Sequence, residues 1–148
     1  MTDQLTTIKE RIRAVWGSEK DSYIACMAIV QFLETHTSDA AHLSYAFLID
    51  IAKSADVVDR KKIIQAAEYL AGADIHLLDM KFEFIDDDDS VWPIPYEISE
   101  VNKFLQNEEF IHPITGLIDP EFKRKLFVFF AASRDAKLLF GASQKIDK

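Results

Sequence analysis

The chain has a single cysteine, Cys26, in 148 residues. One thiol excludes an intramolecular disulfide and any cluster of thiolate metal ligands. Four glycines and four prolines are also few. So small a supply of turn-formers disfavours an all-β fold and favours helices joined by short connections. No window approaches the roughly 20 apolar residues that cross a bilayer. The opening stretch MTDQLTTIKERIRAVW holds no apolar run of signal-peptide length. A cytoplasmic protein without membrane attachment is the expectation. Cations are short too: 17 Lys and Arg stand against 25 Asp and Glu, a net charge of −8. Residues 1–80 carry 12 acids and 8 bases, residues 81–148 carry 13 and 9, so each part stands at −4. Such a balance repels nucleic acid and anionic membrane in general, although a local basic patch can override it. Catalytic motifs are missing as well. There is no phosphate-cradling Gly loop, no GxSxG and no HExxH. His36, His42, His76 and His112 are scattered and read as surface or hydrogen-bonded histidines. A non-enzymatic protein with no cofactor and no metal is therefore expected.

What is present is core material. Apolar residues make up 49% of the chain and aromatics 11%, including eleven Phe. That suits one folded domain at this length. Residues 3–16 place Leu5, Ile8, Ile12 and Val15 at helical spacing, and Gly17 stops that helix. A second helix over about 19–35 is apolar on most of its girth, with Cys26, Val30 and Leu33 in one stripe and Ile24, Ile29 and Phe32 in another. Such a helix lies at a domain centre or in a subunit interface. Ser38 or Asp39 is placed to cap a third helix reaching Lys53, with Leu43, Phe47, Leu48 and Ile51 inward.

The most informative stretch is 59–89, DRKKIIQAAEYLAGADIHLLDMKFEFIDDDD. Asp59 caps a helix in which Ile63, Ile64, Ala67, Leu70 and Ala71 recur at helical spacing, and Gly72 ends it. The period then changes to two: Leu78, Met80, Phe82 and Phe84 face one way, Asp79, Lys81 and Glu83 the other. That is a half-buried strand. Asp86, Asp87, Asp88 and Asp89 read as a solvated hairpin tip, lacking the spacing of a calcium loop. Residues 91–98 alternate again, but Pro93 and Pro95 confine them to a sheet edge. Ser99 is placed to cap a short helix. Asp119 and Pro120 start another, which the spacing of Phe122, Leu126, Phe129 and Phe130 continues through 126–130, although five consecutive apolar residues also suit a buried strand. Residues 134–140 form a last short helix.

The order helix, turn, amphipathic helix, strand, turn, strand over residues 42–98 resembles the winged helix-turn-helix superfamily. In IAKSADVVDRKKIIQAAEYL (51–70), Ile51 and Ala52 take the apolar and small positions of the first helix, and Ile63, Ala67 and Leu70 the core side of the second. Asp56 stands near where a glycine is common in the turn. The resemblance implies a mostly α, α+β protein: an N-terminal helical pair (1–37), a winged-helix core (38–98) and a C-terminal helical extension (99–148). It also implies that the start of the second helix is the working surface, here Arg60, Lys61 and Lys62 with Gln65.

Those three cations face the positive end of the helix dipole, an arrangement that costs a few tenths of a kcal/mol or more unless an anion is bound there. The acidic wing, Asp86–Asp89, opposes DNA, since it would repel phosphates within the screening distance of about 8 Å. Two functions follow as expectations: a protein–protein interaction or regulatory adaptor module, with a homodimer through the second helix or the Phe-rich end, and alternatively a DNA-binding transcriptional regulator. A small-molecule sensor would need a roomy apolar pocket near Trp92, Tyr96 and the Phe cluster.

Overall fold

The computed structural model describes residues 2–88 and 90–146. Its elements are α1 (Thr2–Trp16), α2 (Lys20–His36), a 3-10 turn (Thr37–Asp39), β1 (Leu43–Ser44), α3 (Tyr45–Lys53), α4 (Arg60–Ala71), β2 (Leu78–Phe84), β3 (Ile94–Tyr96), α5 (Ile98–Asn107), α6 (Phe122–Lys125), β4 (Leu126–Ala132) and α7 (Arg134–Ile146). The protein is α+β and mostly helical, as expected. Its four strands form an antiparallel sheet in the order β1-β4-β2-β3. The chain divides into two compact units, Met1–Asp79 with Phe130–Lys148, and Met80–Phe129.

The first unit is built on α2, which packs against α1, α3, α4 and α7. Ala25, Cys26, Ile29, Val30 and Leu33 of α2 are buried, together with Ile12, Leu48, Ile63 and Leu70. The apolar girth of α2 is thus spent mainly at a domain centre. Burial pushes the Cys26 thiol up to about 12, so at neutral pH it is a small core residue and not a nucleophile. The remaining stripe of α2, with Tyr23, Ile24, Met27 and Ala28, lines a shallow groove of about 430 Å³.

Helix α4 begins where its cap predicts: the Asp59 carboxylate accepts from Lys61 N at 3.0 Å. Helix α3 begins later than predicted. Ser38 and Asp39 lie in or beside the 3-10 turn, residues 43–44 enter the sheet as β1, and Ser44 Oγ caps α3 by accepting from Phe47 N at 3.2 Å. The turn between α3 and α4 holds Asp56 at φ 66°. Aspartate tolerates this left-handed region better than most residues, but glycine enters it without steric cost. Asp56→Gly is therefore expected to stabilise the protein by about 0.5 kcal/mol, the left-handed cost outweighing the extra freedom of the unfolded chain. An unchanged or lower urea midpoint would count against this reading of the turn.

In the second unit, β2 and β3 pair in the register Phe82↔Tyr96, Glu83↔Pro95 and Phe84↔Ile94. β3 is shorter than the predicted 91–98 and ends the sheet order, in keeping with Pro95 within it and Pro93 just before it. Phe84, Phe110 and Phe122 form the core, with Tyr96, Phe104 and Leu126 against them. Helix α5 is capped by Glu97, not Ser99: Glu97 N donates to the Glu100 carboxylate at 3.0 Å. The helix expected from Asp119 through residue 130 is only the single turn α6. Residues 126–130 are strand. β4 lies between β1 and β2 in the sheet order. Flanked by strands on both edges, it buries the consecutive Phe129 and Phe130, while Phe127 stays 47% exposed. The C-terminal third is thus not wholly helical.

Candidate functional site

Arg60, Lys61 and Gln65 stand exposed along the start of α4, as the sequence predicts. Lys62 departs from them. It is half-buried, and its Nζ lies 3.1 Å from Glu19 Oε2. Arg60 and Lys61 have no ion-pair partner among the described residues. Lys53, in the last turn of α3, is also exposed; sequence reasoning passed over it because it lies outside the α4 stripe. Further along α4 the sign changes. The Tyr45 hydroxyl donates to Glu68 at 3.4 Å. Burial first, and Glu68 second, push the Tyr45 phenol up to about 12, so it remains a neutral donor. The site is a short cationic face ending in a carboxylate.

The aspartate run is a solvated tip only in part: Asp87 and Asp88 are exposed, and Asp86 is not. Asp86 has 12% of its side chain exposed and meets Lys125 Nζ at 3.1 Å and His112 Nε2 at 2.9 Å. Lys125 Nζ also lies 2.8 Å from Asp119 Oδ2. Arg124 makes a two-pronged pair with Asp87, at 3.0 and 2.6 Å, and reaches Glu121 at 3.0 Å. Asp88 accepts from Ser90 N and Oγ, at 2.9 and 2.7 Å, closing a turn. Asp89 lies outside the described residues. Two of the four aspartates thus carry a cationic partner, and a third is spent on local backbone.

Sequence reasoning missed this cluster of Asp86, His112, Asp119 and Lys125. Its one available signal was a lysine directly before an apolar run. Nδ1 of His112 accepts from Ile114 N at 3.1 Å and from Thr115 N at 3.3 Å. It therefore carries a lone pair, and the neutral ring's proton sits on Nε2, donated to Asp86. Ligand atoms of Asp86, His112 and Asp119 lie within 4.8 Å of one another. The Lys125 ammonium, however, already bridges the two carboxylates, and both nitrogens of His112 are engaged. The set is organised as a salt-bridged clasp and offers no open cation cage.

The hydrogen bond from His112, followed by that from Lys125, holds the Asp86 carboxyl down at about 2. Burial pushes Asp119 up, but Lys125 and the Glu121 N–H outweigh it, leaving it below its ordinary value. Lys125 is raised by Asp119 and then Asp86. A carboxylate with a depressed folded pKa stabilises above its unfolded value, about 3.9, and loses that contribution as pH falls. Acidification should therefore weaken the protein between about pH 4 and pH 2. Asp86→Asn should flatten that part of a thermal stability profile; an unaltered slope would remove Asp86 as its source. The raised Lys125 contributes in the opposite sense, fully below about pH 10.4 and less as pH rises further.

Among the described residues, the rings of the Phe cluster pack on one another and leave no roomy space between them. Phe84, Phe110 and Phe122 are 0–2% exposed with rings in contact, and Trp92 stands apart, 85% exposed. The chain matches no protein-family model, no curated protein and no solved structure.

Proposed function

We propose that the chain is a non-enzymatic binding module of winged-helix type that engages a protein partner through the start of α4. The observation that carries this reading is the pair Arg60 and Lys61, exposed and without ion-pair partners among the described residues, in the first turn of the helix, while neighbouring Lys62 is held by Glu19. An acidic segment of a partner would gain two cations and the positive end of the α4 dipole. The face is too small, and too soon interrupted by Glu68, to favour the long phosphate track of a duplex on a chain of net charge −8. The winged-helix reading is supported by the unbroken order α3, turn, α4, β2. On that reading the segment between β2 and β4 stands where a wing would be, enlarged into a unit of its own.

DNA-binding regulation through Arg60, Lys61, Lys62 and Gln65 is the second reading, favoured by the same helix-turn-helix order. Fluorescence anisotropy separates the two, with a labelled Glu/Leu peptide and a mixed-sequence DNA duplex titrated at low and physiological salt. The protein reading expects peptide binding that Arg60→Glu with Lys61→Glu weakens about tenfold or more, and no duplex binding at low salt. Duplex binding that weakens with salt and is lost in the variant would sink it in favour of DNA. Peptide binding indifferent to the variant would remove α4 as the site.

A further inference from the structure

In the second unit, residues 110–119 form a two-stranded ribbon with a bridge between Ile111 and Ile118. The Asp119 N–H donates to Phe110 O (2.9 Å) and the His112 N–H to Leu117 O (2.8 Å), and these bonds fix its register. Its side chains divide sharply by burial. Phe110, His112 and Asp119 point inward and are 1%, 8% and 9% exposed. Ile111, Ile114, Leu117 and Ile118 are 58%, 66%, 70% and 60% exposed. The tip is held in shape: Gly116, at φ 72°, donates its N–H to His112 O at 2.9 Å, and His112 Nδ1 takes the N–H groups of Ile114 and Thr115.

We infer that these exposed aliphatics of the ribbon and its tip form a docking surface for a partner segment that is apolar on one side and basic around it. Folding does not need those four side chains to be aliphatic, because the inward residues pin the ribbon. Four large aliphatics exposed within eight residues of one hydrogen-bonded ribbon and its tip are a cluster of the kind that marks an interaction site. Their rigidity lowers the ordering cost of binding. The charge of the unit selects the occupant. Residues 80–129 hold 11 acids and 5 bases, a net −6, whereas the rest of the chain holds 14 and 12, a net −2. Three of the five bases are already engaged, Lys123 with Glu108, Arg124 with Asp87 and Glu121, and Lys125 with Asp86 and Asp119. Glu109, which has no ion-pair partner among the described residues, leads directly into the ribbon. A second copy of this unit, or an anionic bilayer, would be repelled by the same excess that attracts a basic segment.

The test uses the full chain and two labelled peptides of equal length and charge, one Lys/Leu in an amphipathic helical pattern and one Lys/Ser. The intact protein is expected to bind the Lys/Leu peptide about tenfold more tightly, the scale of a few partly buried aliphatic contacts. Ile114→Ser with Leu117→Ser, both at the exposed tip, should erase that preference while leaving the thermal melt in place. Leu138→Ser, on α7 and 64% exposed, should change nothing. Equal binding of the two peptides, or a preference that survives the tip variant, overturns the proposal. So does a dimer in sedimentation, or binding to phosphatidylcholine vesicles, that the tip variant abolishes, since the occupant is then a second copy or a lipid surface. Arg60 and Lys61 are untouched, so this result is independent of the proposed α4 site.

Discussion

Phe110→Ala is expected to cost about 3–5 kcal/mol of stability. Phe110 is 1% exposed and is the residue on which the aromatic core of the second unit converges. Its ring lies 4.7 Å from Phe84, 5.0 Å from Phe104, 5.6 Å from Tyr96 and 5.7 Å from Phe122, centroid to centroid. Phe104 and Tyr96 meet it nearly edge-on, the geometry that aligns a positive ring edge with a negative face. These neighbours come from β2, β3, α5 and α6, so no single shift of one element can close the void, and the cavity term stays near its full size. Phe110→Leu should cost less, about 1–2 kcal/mol, because most of the volume is retained. The comparison is made by urea unfolding followed by circular dichroism. A loss under about 1 kcal/mol for the alanine variant would mean the rings are not packed as described. The same variant should weaken the Lys/Leu peptide preference, since Phe110 is the first inward anchor of the ribbon.

What the sequence made legible, and what it hid, divides along chain separation. Helices α1, α2 and α4 and strand β2 were readable because each element's burial is written in its own periodicity. The caps of α4 were readable because Asp59 and Gly72 act on backbone within three residues. The start of α3 was not, because Leu43 and Ser44 are drawn into a sheet whose neighbouring strand, β4, lies more than 80 residues later. β4 itself satisfied helical spacing, and only its place between two strands decides the matter. The aspartate run shows the same limit in the candidate site. Four like charges in series look solvated until the partners appear, and those lie 37 residues away for Arg124 and 39 for Lys125. Likewise Arg60, Lys61 and Gln65 were legible as an exposed face, while Lys62 was lost to Glu19 across 43 residues. The even −4 and −4 of the linear halves hid a division by unit of −2 and −6, because β4 and α7 return the last 19 residues to the first unit.

Lys125→Met should lower the melting temperature by roughly 5 °C or more, although methionine matches the stem in length and suits an apolar wall. The residue is 8% exposed, and its ammonium is shared between Asp86 and Asp119 under the Phe84 ring, 5.8 Å from the ring centroid. Removing one member of a buried ion cluster leaves the others charged and uncompensated, which costs more than the intact cluster contributes. Asp86 retains the His112 N–H, and Asp119 retains only the Glu121 N–H. Asp119 should therefore carry most of the damage, and its folded pKa should move above the unfolded one. The sign of the pH response then reverses. The native clasp loses stability as pH falls below about 4, whereas the variant should gain as acidification neutralises its stranded carboxylates. Adding Asp119→Asn to Lys125→Met should recover much of the loss at neutral pH and remove the reversed slope, giving strong non-additivity in a double-mutant cycle. A simple sum of the two single effects would mean that Lys125 and Asp119 do not act as a pair, and that the ribbon's inner edge is held by His112 alone.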